Sequence, residues 1–269
     1  MTTLQAAVLG FVQGMSEFLP ISSSGHLIVV PWLLHWPVQS LAFDVALHLG
    51  TLIAVVAAYG DDWARLLAAA LRGARQGRPF ASPEGRLLAL LVVASVPAAV
   101  AGLLLEKWAA TVFRSPALVA FDMAVMGAVL LAADRRAGRS AHDVATISTR
   151  DALLIGAAQA LALVPGVSRS GATISAALYL GYRREEAARF SFLLAVPITF
   201  GAVVFKVPHL LGAGQVRAVL AGTATAAVFG LLSIRLLLAY VRTRDYRPFV
   251  YYRWAFALVV ITVLLLRRV

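Results

Sequence analysis

The segment SRSGATIS, residues 168–175, lies between two apolar segments, DALLIGAAQALALVPGV at 151–167 and AALYLGY at 176–182. A charged side chain at bilayer depth costs about 3 kcal/mol or more, so an arginine inside apolar sequence is a candidate functional residue. Arg169 is that arginine, and four hydroxyl residues accompany it. The rest of the chain decides whether this segment lies inside a membrane.

The composition is that of a polytopic helical membrane protein. Of the 269 residues, 61% are hydrophobic and 14% are charged, and several apolar runs are long enough to cross a bilayer of about 30 Å. The lack of cysteine excludes disulfides and thiolate chemistry. The net charge of +11 is spread among short loops between apolar segments, so we predict no nucleic-acid partner. The first hydrophobic segment lacks a signal-peptide cleavage pattern, and we expect it to stay in the mature protein.

Six segments are predicted to span the membrane. They are Leu41–Tyr59, Arg86–Leu105, Pro116–Ala133, Glu186–Val207, Gln215–Tyr240 and Tyr252–Leu266.

Two further apolar segments, Leu4–Leu19 and Asp151–Val164, are interrupted by proline, glycine and serine and resume at Gly25–Leu34 and Gly171–Tyr182. Each half is shorter than the roughly 20 residues that a span needs. Paired, interrupted segments of this kind indicate broken or re-entrant helices at a binding site. We therefore predict two helical hairpins, each entering and leaving on one face of the membrane.

The two hairpins are copies of one another. GFVQGMSEFLPISSSGHLI from residue 10 aligns without a gap over GAAQALALVPGVSRSGATI from residue 156. The identical pairs are Gly10/Gly156, Gln13/Gln159, Ser22/Ser168, Ser24/Ser170, Gly25/Gly171 and Ile28/Ile174. Gly10 and Gly156 are expected to serve close helix packing.

Three predicted spans follow each copy, and an odd number of crossings per repeat makes the second copy enter from the opposite side. The expected fold is therefore all-α and polytopic, with two inverted repeats, each a re-entrant hairpin plus three transmembrane helices. We predict one integral membrane domain, 1–269, with repeats at about 1–140 and 147–269.

Loop charges orient this topology. Most loop arginines fall on one side, which should be cytoplasmic, and they include Arg78, Arg139, Arg242 and Arg253. The few basic residues on the other side are Lys107, Arg114, Lys206, Arg217, Arg267 and Arg268. Both termini and the mouth of the first hairpin then face outward. The segment DDWARLLAAALRGARQGR, 61–78, is either a basic amphipathic helix on the inner surface or a solvated loop.

The second hairpin predicts a phosphate site. A small-residue turn before a resuming helix presents free backbone N–H groups and the positive end of the helix dipole to an anion. Arg169 adds a planar fork that matches phosphate oxygens in pairs. The two hairpins together give the predicted phosphate-binding set, which is Ser22, Ser24, Gly25, Ser168, Arg169, Ser170, Gly171 and Thr173.

The first hairpin contains an ionisable side chain that the second lacks, because His26 stands where the second copy has Ala172. His26 could act as base for Ser23 and so generate a phosphoserine intermediate. In the competing scheme His26 activates a metal-bound water or attacks phosphorus itself. Glu17 either orients His26 or holds a metal, and Glu17, His26, Ser23 and Arg169 are the predicted catalytic residues.

Gln13 and Glu17 stand four residues apart, hence on one face of the helix before the first hairpin. Their side-chain oxygens suit Mg²⁺ or Ca²⁺, and a divalent cation would also bridge to phosphate oxygens. We predict a metal site at Gln13 and Glu17, although two donors alone form a weak motif. His48, on an apolar helix, is interpreted as a hydrogen-bonded core residue.

Four segments resemble the undecaprenyl-diphosphate phosphatase family of bacterial membranes, which is associated with bacitracin resistance. They are QGMSEFLPISSSGH (13–26), PGVSRSGATIS (165–175), LHLGTLIAVV (47–56) and FSFLLAVPITFGA (190–202). The resemblance implies hydrolysis of the terminal phosphate of a C55 polyprenyl diphosphate, returning the carrier lipid to peptidoglycan synthesis in cell wall biogenesis. It places the family's acidic motif on Gln13 and Glu17 and its histidine on His26. Its phosphate-binding run falls on Ser168, Arg169, Ser170 and Thr173.

Some family members have glutamate where this chain has Gln13, which leaves one fewer negative charge for a metal. The expected location is the bacterial inner membrane, with the site opening to the outer, periplasmic face. The expected partners are a polyprenyl diphosphate lipid and membrane lipids, and a homodimer is an open alternative. A second functional class, a transporter or flippase of a phosphorylated polyprenyl lipid, also uses inverted repeats with broken helices. Glu17 and His26 favour the phosphatase, because a carrier has little use for an acid–base group beside its anion site.

Overall fold

A computed structural model describes residues 1–137, 142–210 and 216–267 of the chain. Within this part the secondary structure is helical, with no β-strand, which confirms the predicted all-α class. The helices are α1 (Thr3–Phe18), α2 (Ser23–Leu33), α3 (Leu41–Ala58), α4 (Gly60–Arg75), α5 (Pro83–Ala110), α6 (Pro116–Ala137), α7 (Thr149–Leu161), α8 (Arg169–Tyr179), α9 (Arg184–Leu210), α10 (Val216–Val241) and α11 (Arg247–Leu266).

The long apolar helices make this a multi-pass membrane protein. Five helices in the described ranges, α5, α6, α9, α10 and α11, are long and apolar enough to cross a bilayer. The segment predicted as the first span forms α3, which meets the same criterion only together with α4, and the two are bent by 78°. The described part of the chain therefore has five such helices, or six if the bent pair is one span. Gln215, the predicted start of one span, lies outside the described residues.

The segment 61–78 forms the amphipathic helix α4, so the alternative of a solvated loop is wrong. Leu66 and Ala69 are buried, whereas Leu67 and Leu71 are exposed. Acidic residues occupy the first turn of α4 and arginines its last turn, as the helix dipole favours. The place of α4 on the inner surface of the membrane stays a prediction.

Both predicted hairpins form, as α1 with α2 and as α7 with α8. In the second hairpin, the Tyr182 hydroxyl at the end of α8 donates to Asp151 at the start of α7 over 3.0 Å. The backbone N–H of His142, which precedes α7, donates to the carbonyl of Gly181 over 3.1 Å. The chain therefore leaves this hairpin beside the point where it enters.

Each hairpin packs on a long helix of the other half of the chain. The helix α1 lies against α10, and α7 lies against α5. A Cβ atom on Gly10 would overlap the carbonyl of Gly222 in α10, and one on Gly156 would overlap the carbonyl of Ala94 in α5. The packing role expected for Gly10 and Gly156 is confirmed, and only glycine allows this backbone approach. The first helix of each hairpin thus packs on a long helix from the other half of the chain.

Arg253 of α11 joins the turns of the two hairpins. Its guanidinium donates to Pro20 O in the first turn (3.0 Å) and to Gly166 O in the second (2.7 Å). It also donates to the carbonyl of Met123 in α6 over 3.1 Å, and the side chain is fully buried. One buried cation therefore donates to carbonyls from three separate segments, and two of these, Pro20 and Gly166, lie in turns where the backbone has no helical partners.

The interpretation of Arg253 as a cytoplasmic loop charge is wrong. We predicted that the last span begins at Tyr252, but α11 begins at Arg247, which places Arg253 inside the helix. Loop charges and buried structural charges are indistinguishable in sequence when an arginine stands near a helix end. Arg139 and Arg268, which we counted with the loop charges, lie outside the described residues.

We expect Arg253→Lys to lower the free energy of unfolding by about 2–4 kcal/mol, because lysine cannot reach all of these carbonyls and buried acceptors are left unpaired. Thermal unfolding of the detergent-purified protein, followed by tryptophan fluorescence, measures the change. Arg242→Lys is the control, because Arg242 is exposed and pairs with Glu185 at the surface. Equal stabilities of the two variants would contradict a joining role for Arg253.

Candidate active site

The two hairpin turns end in the same local structure. Ser22 and Ser168 cap the starts of α2 and α8 with positive φ angles of 71° and 74°, which are uncommon for residues other than glycine. Their side-chain oxygens accept hydrogen bonds from the N–H groups of Gly25 and Gly171. Strained backbone of this kind persists only where surrounding contacts hold it, and it is frequent at functional sites.

Hydrogen bonds between the hairpins bring the two turns together. Ser22 Oγ accepts from the backbone N–H of Gly166 over 3.1 Å. The Ser170 hydroxyl contacts the carbonyls of Leu19 (3.0 Å) and Glu17 (3.2 Å). Serines of both copies thus position the opposite hairpin, and the two polar turns lie in direct contact.

Glu17 is the centre of the cluster. Its carboxylate accepts from Arg169 Nη2 at 3.1 Å across the hairpins, from Ser23 Oγ at 2.5 Å, and from Gln13 Nε2 at 3.0 Å. The Glu17 residue is 7% exposed, so each of these donors compensates a nearly buried negative charge. Arg169 also donates from Nη1 to the carbonyl of Ser191 in α9 over 3.0 Å, which fixes its planar fork.

His48 was missed as a site residue. Its Nδ1 donates to the carbonyl of Asp44 over 2.7 Å, as expected of a hydrogen-bonded core residue, but its Nε2 lies 3.7 Å from Glu17 Oε2. The first turn, the whole of α2, the segment 34–40 and the first part of α3 lie between Glu17 and His48. Two signals pointed to the imidazole. They are the family resemblance of LHLGTLIAVV, which contains His48, and the spacing of Asp44 and His48 on one face of α3.

His26 does not contact Ser23 in this structure. Its Nδ1 lies 2.7 Å from the carbonyl of Ser22, which can only accept, so Nδ1 carries the proton. Its Nε2 lies 2.7 Å from the hydroxyl of Tyr252, and its ring packs on Phe256. The pairing of His26 with Ser23 as base and nucleophile is therefore not what the geometry offers, because both ring nitrogens have other partners.

The hydroxyl groups and the backbone amides around the two turns differ in whether they have partners within the protein. The hydroxyls of Ser168, Ser170 and Thr173 have partners within the protein, and Thr173 Oγ1 contacts Ser191 Oγ at 2.7 Å. The first backbone amides of α2 and α8 have no acceptor among the described residues. They are the amides of Ser23, Ser24, Arg169 and Ser170.

Free N–H groups at two helix starts are donors of the kind that bind anions, and phosphate binding by them and by Arg169 stays a prediction. The hydroxyls and glycines of the set shape the two turns, and phosphate binding by Ser22, Ser24, Gly25, Ser168, Ser170, Gly171 and Thr173 stays a prediction.

The described residues do not fit a resident divalent cation. Gln13 Oε1 is buried without a hydrogen-bond donor and could be one ligand. The other candidate, the Glu17 carboxylate, already accepts from Ser23, Gln13 and the positive Arg169. No group of three or more His, Cys, Asp or Glu side chains suited to a metal occurs in the described ranges. A Mg²⁺ site in a protein relies on one or two free carboxylates, and the only carboxylate beside Gln13 among the predicted ligands is neutralised by Arg169.

A comparison with known proteins assigns the chain to a family. The family model described as bacitracin resistance protein BacA matches residues 6–259. The undecaprenyl-diphosphatase of Moorella thermoacetica is 50% identical over 268 residues, which cover 100% of both chains. Those of Elusimicrobium minutum and Geobacter sulfurreducens are 45% and 49% identical and cover 99% and 94% of this chain, and 100% and 95% of their own.

The match covers both hairpin turns and the helices that hold Glu17, Arg169 and Arg253. The resemblance seen in the hairpin motifs is thereby confirmed along nearly the whole sequence. The chain belongs to the BacA family of bacitracin resistance proteins.

Proposed function

We propose that this protein is a membrane phosphatase that hydrolyses undecaprenyl diphosphate to undecaprenyl phosphate and inorganic phosphate. The observation that carries the proposal is the Glu17 carboxylate, which lies 2.5 Å from the Ser23 hydroxyl and 3.1 Å from the Arg169 guanidinium. A nucleophile, its base and an anion-binding cation thus meet at one buried point. The relatives named undecaprenyl-diphosphatase support the same activity and do not favour the transporter alternative.

Ser23 is the nucleophile that the geometry supports best. Its Oγ attacks the terminal phosphorus while its proton passes to Glu17, and the bond from phosphorus to the bridging oxygen breaks. Undecaprenyl phosphate leaves as a stable anion, so this step needs no general acid. Arg169 and the free amides of α2 and α8 bind the oxygens of the transferred phosphoryl group.

The second half of the reaction regenerates Ser23. Glu17 first releases the Ser23 proton to solvent. Water then attacks the phosphoserine phosphorus, Glu17 takes one water proton and passes it to Ser23 Oγ as the phosphorus–Oγ bond breaks, and inorganic phosphate keeps the other water proton. The schemes in which His26 acts as base for Ser23, activates water or attacks phosphorus have less support, because both of its ring nitrogens have partners. His26, with Tyr252, instead holds the first turn of α2 against α11.

We expect Ser23→Ala to lower phosphate release by at least about a thousandfold, because removal of a nucleophile abolishes the covalent route. Ser24→Ala is the matched control on the same helical turn. Its hydroxyl lies 3.4 Å from Ser22 Oγ, and it should stay within about tenfold of the parent because its loss leaves the Ser23–Glu17 contact intact.

Phosphate released from a long-chain prenyl diphosphate by the purified proteins is the measurement. Substantial activity of Ser23→Ala, with folded protein confirmed by its melting temperature, would reject the serine nucleophile.

We also propose that the two halves are inverted repeats in the bacterial inner membrane, with the site opening to the outer face. The support is the matched geometry of the copies. Ser22 and Ser168 share the same cap, and Gly10 and Gly156 both pack against a long helix of the other half. The repeat boundaries near 140 and 147 and a homodimer stay predictions, and residue 140 lies outside the described residues.

The topology predicts the side of each loop. Cysteines placed at Gln76, between α4 and α5, and at Thr243, between α10 and α11, should both be protected from an impermeant outside reagent. A cysteine at Thr111, between α5 and α6, should be labelled. The parent chain has no cysteine, so each variant reports one site. Labelling of Gln76→Cys and Thr111→Cys from the same side would refute the span count. Labelling of Thr111→Cys and Thr243→Cys from the same side would refute the inverted arrangement, because each position follows the second predicted span of its repeat.

A divalent cation, Mg²⁺ or Ca²⁺, remains a prediction of the sequence. Since Gln13 and Glu17 alone do not fit a resident ion, we propose that any cation used in turnover enters bound to the diphosphate of the substrate. Diphosphate oxygens and water then supply the ligands that the protein lacks.

Isothermal titration of the lipid-free protein with MgCl₂ should therefore show no binding tighter than about 1 mM. Gln13→Glu should produce measurable binding, because it adds a charged oxygen beside Glu17. Gln159→Glu, at the equivalent position of the second copy, is the control and should not. Tight stoichiometric binding by the parent protein that is lost in Glu17→Ala would show a resident metal.

A further inference from the structure

A cavity of about 380 Å³ lies away from the Glu17 cluster, where the end of α2 and the segment 35–39 that follows it meet the start of α6 and the end of α11. Its walls combine the indoles of Trp32 and Trp36 with apolar side chains and four polar residues, which are His35, Gln39, Arg114 and Arg267. Tryptophan is enriched at the level of lipid headgroups in membrane proteins. The mixture of indole, cation and apolar surface therefore suits an amphipathic ligand at the membrane interface.

Two arginines give the cavity its charge. Arg267 lies over the Trp32 ring at 4.4 Å from its centroid and donates to the carbonyls of Trp32 and Leu33, which caps the end of α2. It has no carboxylate partner among the described residues. Arg114 is held by Asp44 at 3.1 Å. Each guanidinium has five N–H groups, so donors remain for a phosphate.

Gln39 adds an unsatisfied acceptor. Its Nε2 donates to the carbonyl of Leu27 over 2.6 Å, and because that carbonyl cannot donate, the amide orientation is fixed. Its Oε1 then accepts no hydrogen bond from the described part of the chain, although the residue is only 7% exposed. Of the buried side-chain atoms without a partner in the described ranges, this oxygen is the one whose residue lines the cavity, so it is the place for a ligand group that carries N–H or O–H.

We propose that this cavity binds the headgroup of an aminophospholipid such as phosphatidylethanolamine. The phosphate lies between Arg114 and Arg267, the primary ammonium donates to Gln39 Oε1, and the acyl chains leave over the apolar wall. A prenyl diphosphate satisfies the arginines but has no donor for Gln39. The site is therefore distinct in chemistry from the Glu17 cluster, and it does not rest on the proposed function.

Native mass spectrometry of the full chain, purified in detergent and mixed with one lipid at a time, tests the proposal. The probes are phosphatidylethanolamine, phosphatidylcholine, whose quaternary ammonium has no N–H group, and phosphatidylglycerol, which offers hydroxyl donors only. We expect the amine lipid to bind about tenfold more tightly than the other two, since a charged donor makes the stronger hydrogen bond to Gln39.

Three variants assign the contacts. Gln39→Met removes the acceptor and should abolish the preference for the amine lipid while leaving phosphatidylcholine binding unchanged. Arg267→Gln should weaken all three lipids alike, because it removes a phosphate contact. Arg244→Gln, an exposed arginine in the loop between α10 and α11, is the control and should behave as the parent.

If Gln39→Met does not fold, the relative affinities of the three lipids for the parent and for Arg267→Gln still test the proposal. Equal binding of phosphatidylethanolamine and phosphatidylcholine by the parent would overturn the proposal. So would phosphatidylglycerol binding as tightly as the amine lipid, because a hydroxyl donor would then suffice. Equal lipid binding by Arg267→Gln and the parent would remove the phosphate contact.

Discussion

The buried ion pair between Glu17 and Arg169 is the interaction on which the site depends. Each charge belongs to a different hairpin, and each would be strongly unfavourable in an apolar environment without the other. The pair therefore constrains two segments that are far apart in sequence to meet at one point. Three features hold the hairpins in the position that the pair requires. They are the packing of α1 on α10 and of α7 on α5, the serine contacts between the turns, and the buried Arg253.

The two copies have kept the same backbone and diverged in chemistry. Ser23 and Arg169 occupy equivalent positions at the first turn of α2 and α8, and Glu17 corresponds to Leu163. One copy thus contributes the nucleophile and base that the proposed reaction uses, and the other contributes the cation for the phosphoryl group. Ser23 and Arg169 are each the first residue of a capped helix, so the start of each side chain is fixed relative to the free backbone amides.

Local features of the sequence predicted much of this structure. Hydropathy predicted the long helices, and interrupted apolar segments predicted the hairpins. Polar and charged residues inside apolar sequence pointed to Glu17, Ser23 and Arg169. The place of His26, the burial of Arg253 and the approach of His48 to Glu17 could not be predicted, since each depends on contacts between segments more than twenty residues apart. His26 looked like the partner of Ser23 because it stands three residues away. On a helix that begins at Ser23, however, its ring instead faces Tyr252 and Phe256 of α11.

The central claim is that the Glu17 cluster activates Ser23 toward a phosphoryl group held by Arg169. Rapid mixing of the enzyme with a prenyl diphosphate labelled in its terminal phosphate, followed by acid quench and peptide mapping, tests it most directly. The account predicts transient label on the peptide that contains Ser23, at the serine hydroxyl, and its absence from Glu17→Gln. Label on His26 after a parallel alkaline quench, or single-turnover phosphate release with no labelled peptide at all, would contradict it.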